Sequence, residues 1–593
     1  MLGYASPTLS AISKADIVNV LESIARLLEL KGENPFKIRA YTNAARVVET
    51  FSGDIFQAAA DGKLTEIPGI GKAIAEKITE LTATGKLEFL EKLQAEFPKE
   101  IFELFDVQGL GAKKIKILHD TLQIFSIEAL KAACEDGRIA ALAGFGEKTA
   151  LNIRRAIDQR KAHAGSHLLG DAAANAEQLL EEFRAHPDAS RVSIAGSYRR
   201  RKEIVHDLDF IVSTKNPEAV SHFFTAHPLV ESVLARGPTK SSVRLRSGLQ
   251  CDLRVVTDEQ YPFAINYFTG SKEHNIVMRG RALERGWTLN EYRIAPAEGA
   301  KKFEPPPAIR EERDLYQALG LGYIEPELRE DSGEFEAAEH GTLPELVELS
   351  NLRGTFHCHT TASDGRNSLA EMAAAARELG LEYLGIADHS RSSVQAHGLD
   401  AGRLAAQGRE IAELNREFHD FRLFAGVECD ILRDGSLDFP DEVLSKLDYV
   451  VASVHAAFTL PEAEMTRRII RAISNPYVTF LGHLTGRLLL TREPYRVDIP
   501  AIIEAAAGTG TVIELNGNPR RLEMDWRWWP LAKEKGVKCV INPDAHDTGN
   551  LQHLWFGVAS ARKGWLTRAD VINCLPLGRI AAWLAAKQST SPR

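Results

Sequence analysis

The amino-acid sequence predicts a multidomain protein with an all-α N-terminal module, an α+β middle domain and a C-terminal parallel α/β barrel or sheet. At 593 residues the chain far exceeds one ordinary domain, so several separately cored domains are expected. Helical periodicity covers residues 13–155, and short β-rich runs follow from about 190 to 295. After residue 350, apolar strand-like runs alternate with helical stretches. These three patterns are typical of three different layer architectures.

Composition excludes several classes of protein. Hydrophobic residues make up 44% of the chain, but no apolar run reaches membrane-spanning length, and "MLGYASPTLSAISKAD" lacks the basic-then-apolar order of a secretory signal. The six cysteines are scattered without close pairs, which argues against a disulfide framework and a thiolate zinc site. We therefore expect a cytoplasmic protein with no membrane partner. The net charge of −9 does not exclude nucleic acid, because a whole-chain sum hides a local basic face.

The N-terminal module begins with an amphipathic helix. In "SKADIVNVLESIARLLELKG" the apolar residues recur at i, i+3 and i+4, and Gly32 is placed to end the helix. Three glycine phrases follow: "EIPGIGKAIAEKI", "DVQGLGAKKIKIL" and "ALAGFGEKTALNI". Each places Gly-x-Gly directly before an apolar helix, where unhindered backbone N–H groups and the helix N-terminus can meet a phosphate.

One Gly-x-Gly is more often a simple connector, but three copies favour phosphate binding. The phrases resemble helix-hairpin-helix motifs, which hold nucleic-acid backbone without reading its sequence. The candidate DNA-binding residues lie in the first two phrases and in the preceding helix, and they are Gly69, Gly71, Lys72, Gly109, Gly111 and Lys37.

Three acidic residues of the middle domain fall on strand-like runs. Asp207 and Asp209 alternate in "HDLDFIV" and so face one side of a strand, while Asp252 lies in "LQCDLRVV". Two adjacent carboxylates repel each other unless a cation lies between them, and three converging acids suit a hard cation with oxygen ligands. Two Mg²⁺ ions held this way would activate a 3′-hydroxyl and neutralise charge on a transferred phosphoryl group.

The cationic half of the same segment has a matching role. Ser197 and Arg200, near the turn after Gly196, are placed to hold a triphosphate by hydrogen bonds and charge. An isolated D-x-D is more often a solvated surface strand, so order and spacing decide. The combination of "GSYRR", "HDLDF", "CDLRVV" and "YFTGSKEHN" resembles the family X DNA polymerases across nearly all of residues 10–325.

This resemblance implies a nucleotidyltransferase-like palm, a thumb and a set of site residues. Asp207, Asp209 and Asp252 would be the catalytic metal-binding triad. Tyr267 and Phe268 could equally be core aromatics, and only the surrounding motif favours the sugar pocket. The residues implied at the incoming nucleotide are Ser197 and Arg200 on the triphosphate, Tyr267, Phe268 and Gly270 around the sugar, and Asn275 and Arg279 near the nucleobase and template strand.

The sequence departs from the family pattern at one position. His206 precedes the triad where many members carry glycine. An imidazole there would donate a hydrogen bond or crowd the phosphate, which puts catalytic efficiency in question.

Lys77 lies in the first glycine phrase, where repair members of the family carry a lysine that forms a Schiff base with an abasic sugar and releases the 5′-deoxyribose phosphate. This chemistry needs an uncharged amine, which the nearby cations Lys37 and Lys72 would favour. A helical lysine is usually only a solvated charge, so a 5′-phosphate pocket is the preferred interpretation and lyase activity the alternative.

In the second half, nearly every strand-like run ends in a histidine or a carboxylate. In a parallel α/β barrel these strand ends open on one rim, so the side chains should converge. Mixed nitrogen and oxygen donors in this number suggest two or three divalent ions, Mn²⁺ or Zn²⁺. The predicted ligands are His357, His359, Asp364, His389, Glu428, His455, His483, Asp544 and His546.

The spacing of these ligands resembles the polymerase and histidinol phosphatase (PHP) domain, a distorted (β/α)7 barrel, over residues 351–575. Coupled to a bacterial-type family X polymerase, it implies 3′-5′ exonuclease action, with 3′-phosphatase or abasic-endonuclease activity as further options. Arg487 and either Arg520 or Arg521 are candidate phosphate contacts. Residues placed to orient the ligands are Asp388, Asp430 and Asn516.

The sequence thus predicts a cytoplasmic, monomeric enzyme that acts on gapped double-stranded DNA with dNTPs, fills gaps in base excision repair and trims 3′ ends. One alternative is a metal-dependent nuclease whose polymerase half is a DNA-binding adaptor, and another is a non-catalytic scaffold. The expected domains are a lyase-like helical domain (1–90), a helical fingers domain (91–160), a palm (161–260), a thumb (261–323), an exposed acidic linker (324–350) and a PHP domain (351–593).

Overall fold

The computed structural model describes residues 14–51, 54–107, 109–162, 165–298 and 305–589. The chain forms two compact units, residues 1–164 and residues 165–593. Across the described ranges, no helix combines the length and the apolarity needed to cross a bilayer.

The described part of the first unit is helical, as its periodicity predicts. Its helices are α1 (Lys14–Lys31), α2 (Pro35–Thr50), α3 (Ile55–Ala60), α4 (Lys72–Thr84), α5 (Glu88–Gln94), α6 (Ala112–Leu122), α7 (Ile127–Glu135), α8 (Arg138–Ala141) and α9 (Gly146–Ala162).

Local signals start and stop these helices. Asn34 caps α2, since its side chain accepts a hydrogen bond from the N–H of Phe36, and Pro35 occupies the first turn, where a missing N–H costs nothing. Gly85, in the left-handed conformation with φ of +75°, ends α4. The apolar faces meet in one core, whose buried members include Leu21, Ile24, Leu28, Ile78, Ile115 and Leu118.

The second unit begins with an α+β domain. Its elements are β1 (His167–Leu168), α10 (Leu169–Ala185), β2 (Arg191–Ile194), α11 (Gly196–Arg199), β3 (Ile204–Val205), β4 (Asp207–Ser213), α12 (Pro217–Thr225), β5 (Val230–Arg236), β6 (Lys240–Leu245) and β7 (Gln250–Val256). Five strands form a sheet in the order β2-β4-β7-β6-β5, in which β4 and β7 are parallel.

A helical and hairpin region follows this sheet. Its elements are α13 (Tyr261–Thr269), α14 (Lys272–Glu284), β8 (Trp287–Leu289), β9 (Ile294–Pro296), α15 (Glu312–Ala318) and α16 (Glu334–His340). Phe210 on β4 packs with α10 and α12 on one face of the sheet, whereas Ile211 packs with α13 on the other. Because side chains alternate along a strand, Asp207 and Asp209 lie on the α13 face.

The acidic composition of residues 324–345 predicts an exposed linker, and this expectation is wrong. Arg329 is fully buried and its Nη1 lies 2.5 Å from Oε1 of Glu312. Glu334 is also buried, with Oε1 at 2.9 Å from Nδ1 of His274. Amino-acid composition does not show which charged residues are paired. Here the pairing allows the segment to pack into the core beside α13–α15.

The rest of the chain alternates strands and helices. The strands are β10 (Gly354–Thr355), β11 (Tyr383–Ile386), β12 (Arg422–Ala425), β13 (Glu428–Asp430), β14 (Val451–Ser453), β15 (Phe480–Leu481), β16 (Val512–Asn516) and β17 (Cys539–Asn542). The helices are α17 (Leu369–Glu378), α18 (Ala401–Leu414), α19 (Asp441–Leu444), α20 (Glu462–Ile473), α21 (Ile499–Thr509), α22 (Trp529–Glu534), α23 (Leu554–Lys563) and α24 (Leu577–Ser589).

These strands close into a parallel barrel. The order β10-β11-β12 continues through β13-β14-β15-β16-β17, and all neighbours are parallel. Strands β12 and β13 follow each other along one extended segment of the chain, so the barrel has about seven strand positions. Parallel bridges between Cys358 and Ala545 and between His389 and Glu428 join the two sheets. The predicted barrel is confirmed.

Candidate active sites and metal centres

The three predicted palm carboxylates lie together. Strand β4 pairs with β7 so that Asp209 stands opposite Asp252, and Asp207 stands two residues away on the same face. The turn between β2 and α11 makes room for them, because Gly196 has φ of +62° and a Cβ there would lie 2.3 Å from Oδ2 of Asp209. Glycine is therefore required by both backbone and space.

The electrostatics of this group favour a bound cation. Burial, together with the charges of Asp207 and Asp252, raises the pKa of Asp209 to about 7. Burial and the Asp252 charge likewise raise the pKa of Asp207. Carboxyls that are this costly to ionise together become stable anions when a divalent cation lies among them, so the donor set fits the hard cation expected from the sequence.

Ser197 and Arg200 flank the carboxylates at the end of α11. The Oγ atom of Ser197 is buried and has no hydrogen-bond partner among the described residues. Arg200 donates from Nη1 to the carbonyl oxygen of Thr269 and from Nε to Oε1 of Glu330 at 3.2 Å. Both side chains thus have donors left for an anionic ligand beside the carboxylates.

The residues predicted around the nucleotide sugar and base are contiguous. The rings of Tyr267 and Phe268 meet edge to face with centroids 5.2 Å apart. Both side chains are partly exposed, and Phe268 also packs against the small core that includes residues of β4 and α13. Nδ2 of Asn275 donates to the carbonyl oxygen of Tyr267 at 2.7 Å, and Nε of Arg279 donates to the carbonyl oxygen of Asn275 at 3.2 Å. Gly270 has φ of +71° and lies against Arg200.

His206 does not crowd this site through a hydrogen bond to the triad. Its Nε2 lies 3.2 Å from Oγ of Ser166, in the segment that pairs β1 with β3. The imidazole acts on Asp207 only as a nearby charge that lowers the pKa, against the larger effect of burial.

The first two glycine phrases share one geometry. Gly69 and Gly109 have positive φ, of +97° and +87°, and Gly71 and Gly111 are the extended N-cap residues of α4 and α6. In the third phrase, residues 141–153, both glycines have positive φ, so its backbone bends differently. Only the first two copies therefore present the same N-terminal turn.

Lys77 and Lys37 of the first unit share an aromatic neighbour. Their Nζ atoms lie 4.6 Å and 6.0 Å from the centroid of the Phe89 ring. Lys77 is half-buried and donates to the carbonyl oxygen of Ala73, and Lys72 is an exposed residue at the start of α4. The two cations over one ring form a basic pocket wall on this unit.

The nine predicted barrel ligands converge at one end of the barrel. Eight of them fall into three overlapping groups, and within each group the donor atoms lie within 4.8 Å of one another. The groups are His359, Asp364, His389 and His546; His357, His359 and Asp544; and His389, Glu428 and His455. His483 joins them, because its Nε2 lies 2.8 Å from Oε1 of Glu428.

Glu428 lies at the centre of this cluster. Its carboxylate oxygens are 2.9 Å from Nδ1 of His389, 3.2 Å from Nε2 of His455 and 3.4 Å from Nε2 of His357. Burial alone would raise the pKa of Glu428, but the imidazoles around it hold the pKa well below its usual range. A buried carboxylate shared by several imidazoles is suited to bridging metal ions.

The donor set fits divalent metals. Nε2 of His357, both ring nitrogens of His359, Nδ1 of His389, Nδ1 of His483 and Oε2 of Glu428 are buried without a hydrogen-bond partner among the described residues. Burying polar atoms without a hydrogen bond is costly, and imidazole nitrogens and carboxylate oxygens in this state can satisfy their bonding capacity by coordinating ions.

Known proteins resemble this chain along most of its length. A DNA polymerase beta thumb model matches residues 264–330, a helix-hairpin-helix domain matches 12–87, a SAM-like helix-hairpin-helix tandem matches 101–159, and a PHP domain matches 355–517. The DNA polymerase/3′-5′ exonuclease PolX of Bacillus subtilis is 40% identical over 574 residues, which cover 96% of this chain and 99% of that protein. The chain belongs to the PHP-containing family X DNA polymerases. The family predicted from the motifs is confirmed.

Shorter relatives match part of this family X polymerase. A probable phosphatase of Thermoanaerobacter sp. is 29% identical over 244 residues, which cover 39% of the chain and 94% of the relative. A probable phosphatase of Caldicellulosiruptor saccharolyticus is 31% identical over 205 residues, which cover 32% of the chain and 78% of the relative.

Sequence reasoning missed one cation of the polymerase site. Nζ of Lys240, on β6, lies 2.6 Å from Oδ2 of Asp252, and Nε2 of Gln250 donates to Oδ1 of the same carboxylate at 3.2 Å. Burial opposes ionisation of Asp252, but these contacts lower the pKa of the carboxyl. Lys240 thus occupies the place beside the triad where a metal cation would compete with it.

Glu514, inside β16, is the second missed residue. Its Oε2 lies 2.6 Å from Nδ1 of His357 and accepts from Nδ2 of Asn542, while its Oε1 accepts from the N–H of His483 and from Nδ2 of Asn516. The carboxylate therefore fixes which ring nitrogen of His357 faces the cluster. A lone acid within the apolar run "TVIELN" was the available signal.

The predicted orienting residues have different partners. Asp430 contacts Nδ1 of His455, and Asn516 donates to Oδ2 of Asp544 at 3.1 Å. Asp388 touches no ligand directly, since it accepts from the backbone and hydroxyl of Thr360.

The three arginines expected near phosphate also differ. Nε of Arg521 lies 3.4 Å from Oδ2 of Asp544, and its buried Nη1 has no hydrogen-bond partner among the described residues. Arg487 instead pairs with Asp525 at 2.6 Å, and Arg520 is exposed. Arg521 is therefore the one of the three that the structure places at the cluster.

Proposed function

We propose that this protein is a DNA-directed DNA polymerase that fills short gaps in duplex DNA, and that its barrel removes 3′-terminal nucleotides as a 3′-5′ exonuclease. The observation that carries the proposal is that one chain holds two complete ligand sets, the carboxylates of β4 and β7 and the imidazole-rich cluster of the barrel. The Bacillus subtilis relative, similar over almost its whole length, bears the name of both activities.

In the polymerase site, Asp207, Asp209 and Asp252 would hold Mg²⁺, which supplies activation of the primer 3′-hydroxyl and neutralisation of the transferred phosphoryl group when bound. Ser197 and Arg200 would donate to the triphosphate oxygens of the incoming dNTP. A charged, planar donor next to the carboxylates orients the triphosphate relative to them, so that the reacting atoms lie in line.

Around the sugar, the backbone and rings of residues 267–270 would select deoxyribonucleotides by close approach. Asn275 holds this segment through the carbonyl oxygen of Tyr267, so it would act on the pocket shape as well as near the nucleobase. Arg279 is exposed one turn farther along α14, where it would contact the template strand.

In the barrel, the ligand cluster would hold two or three Mn²⁺ or Zn²⁺ ions, which supply a nucleophile near neutral pH and polarise the phosphodiester when bound. Arg521 would donate to the phosphate that is being hydrolysed, since its Nη1 makes no hydrogen bond among the described residues and lies 3.8 Å from Oε1 of Glu523. Asp430 and Glu514 hold His455 and His357 in place. A phosphate monoester would fit the same arrangement, which supports 3′-phosphatase activity as a further option.

The helical unit would bind the DNA backbone through its first two glycine turns. Lys37 and Lys77, over the ring of Phe89, would bind a 5′-phosphate at the far side of a gap. Together with gap filling, this supports a role in base excision repair. Borohydride trapping on an incised abasic duplex tests lyase chemistry, and absence of an adduct, or an adduct that persists in Lys77→Ala, would discard it.

One assay on gapped duplex with a labelled primer tests the two main activities. We expect extension with dNTPs and Mg²⁺ that is lost in Asp209→Asn, and shortening with Mn²⁺ that is lost in His357→Ala. Each variant serves as the control for the other, because each leaves the second ligand set intact.

The same assay also distinguishes the alternative functions. Shortening without extension in the wild-type protein would support the nuclease with an adaptor half instead. Absence of both activities would support a non-catalytic scaffold. The position of His206, bonded to Ser166 rather than to the triad, argues against an inactive polymerase half.

A further inference from the structure

Helix α23 of the barrel ends against the polymerase half with a buried lysine. Lys563 is 1% exposed, and its Nζ donates to the carbonyl oxygens of Arg200 at 3.2 Å and Glu327 at 3.3 Å. The same Nζ lies 2.6 Å from Oε1 of Glu330. Lysine is almost never buried this deeply unless it is paired, and here every one of these partners belongs to the polymerase half.

Glu330 lies between Lys563 and Arg200, the arginine proposed to hold the dNTP triphosphate. Its Oε1 accepts from Nε of Arg200 at 3.2 Å as well as contacting Lys563, and its Oε2 lies 3.7 Å from Nζ of Lys202. Burial opposes ionisation of Glu330, but Lys563 and Arg200 lower the pKa of the carboxyl below its usual value. The charged side chains that face Lys563 or touch this pair are Arg200, Lys202, Glu203 and Glu330.

The guanidinium of Arg200 is fixed from two sides. Glu330 holds Nε, and the carbonyl oxygen of Thr269 holds Nη1 beside Gly270, whose absent side chain allows this approach. Among the described residues, these two acceptors are the hydrogen-bond partners of the guanidinium, which leaves the N–H groups of Nη2 for a ligand. The orientation of the donors left for a ligand therefore depends on where Glu330 sits.

We propose that Lys563 is a positioning residue of the polymerase site: the barrel supplies its ammonium to neutralise Glu330, which keeps the charge and orientation of Arg200 available to the dNTP triphosphate. This inference rests on the proposed function, in which Arg200 holds that triphosphate. It gives the barrel a part in nucleotide binding that is independent of its metal ligands.

The physical consequence of losing Lys563 is an uncompensated carboxylate next to an anionic ligand. Glu330 would draw the Arg200 guanidinium toward itself and would repel the triphosphate. Losing the equivalent of one charge-assisted contact corresponds to a KM for dNTP that rises by about tenfold. Chemistry after binding depends on the carboxylate triad, so kcat should change little.

The neighbouring residue offers a matched control. Arg562 also crosses from α23 to the polymerase half, where its Nε lies 2.7 Å from Oε1 of Glu327 and its Nη2 lies 3.8 Å from Glu325. Neither acid contacts Arg200. Arg562→Met therefore removes a buried interdomain ion pair of the same kind without touching the triphosphate arginine.

The experiment measures single-nucleotide gap filling as a function of dNTP concentration in the full-length protein. We expect Lys563→Met and Lys563→Gln to raise the KM for dNTP by about tenfold with kcat within about twofold of wild type. Adding Glu330→Gln to Lys563→Met should reverse most of that increase, because the unpaired carboxylate is then removed. Arg562→Met should leave the KM within about twofold of wild type. Exonuclease activity and melting temperature report that each variant is folded.

Two outcomes would overturn the inference. An unchanged KM in folded Lys563→Met or Lys563→Gln would mean that Glu330 needs no counter-charge from the barrel. Equal increases in Lys563→Met and Arg562→Met, or no reversal by Glu330→Gln, would mean that general loosening of the interface is responsible.

The failure of the proposed function would look different. Arg200→Ala is the reference variant, and it should raise the KM for dNTP at least as much as Lys563→Met. If Arg200→Ala leaves the KM unchanged while the wild-type protein extends primers, Arg200 does not hold the triphosphate. The proposed role of Lys563, which acts through Glu330 on Arg200, then fails as well. If the wild-type protein does not extend primers at all, the polymerase assignment itself fails.

Discussion

Substituting Gly196 by alanine tests whether the packing of the turn between β2 and α11 sets the position of the carboxylates that we propose to be catalytic. Gly196 has φ of +62°, and an added Cβ would lie 2.3 Å from Oδ2 and 3.3 Å from Cγ of Asp209. Gly196→Ala should abolish efficient primer extension while the exonuclease activity of the barrel persists, because no barrel ligand contacts this turn.

The magnitude follows from the contact distance. A Cβ contact at 2.3 Å falls about 0.7 Å short of the 3.0 Å that such contacts require, so the Asp209 carboxylate or the turn must move by at least that amount. A misplacement of about 1 Å at a reacting centre costs about 100-fold in rate. The left-handed conformation adds a cost of about 1–2 kcal/mol to the stability of the alanine variant.

The assay is single-turnover extension of a gapped duplex at saturating dNTP and Mg²⁺, with 3′-5′ shortening measured in parallel. The control is Gly508→Ala on α21, where an added Cβ meets no atom within 4 Å, so both activities should be unchanged. Extension by Gly196→Ala within about threefold of wild type would refute the argument, because the triad would then tolerate a displaced Asp209.

Three further predictions follow from the same contacts. In Lys240→Met the triad loses the ammonium group that competes with a metal cation for Asp252. The Mg²⁺ concentration for half-maximal primer extension should therefore fall by about threefold or more. An increase in that concentration would contradict this role. In Glu514→Gln an amide N–H₂ group replaces one of two carboxylate oxygens, both of which face hydrogen-bond donors. The metal content per chain and the exonuclease rate should therefore fall by about 10- to 100-fold while primer extension persists. An unchanged metal content by elemental analysis would exclude this role. Burial lowers the pKa of Lys563 to about 8, so the charge that neutralises Glu330 is present below that pH and is lost above it. The KM for dNTP should therefore rise between pH 7 and 9 in wild type more than in Glu330→Gln, and parallel pH profiles would count against it.

Much of both sites is predictable because local periodicity determines which side chains share a face. Alternation places Asp207 and Asp209 on one side of β4 whatever the rest of the fold does. In a parallel barrel the carboxyl ends of all strands meet at one rim. Residues that follow the strands in sequence are therefore expected to converge there, and this prediction does not require the strand order.

The missed residues depend on pairing that periodicity does not contain. Lys240 reaches Asp252 from β6, and that contact requires the antiparallel register of β6 on β7. Glu514 lies within a strand rather than at its end, and its partner His357 is distant in sequence. The prediction for the acidic segment 324–345 was wrong for the same reason, because its buried charged residues Glu327, Arg329 and Glu334 pair with residues outside the segment.

The two proposed ligand sets lie in one unit and differ in the chemistry of their donors. The palm triad offers oxygen donors alone, whereas the barrel cluster is dominated by imidazole nitrogens. Their physical connection runs instead through ion pairs such as Lys563 with Glu330 and Arg527 with Glu203, at 2.6 Å and 3.1 Å. Removing a barrel ligand leaves these pairs in place, whereas removing the barrel helix breaks them. Loss of exonuclease chemistry and loss of the barrel should therefore affect nucleotide binding differently.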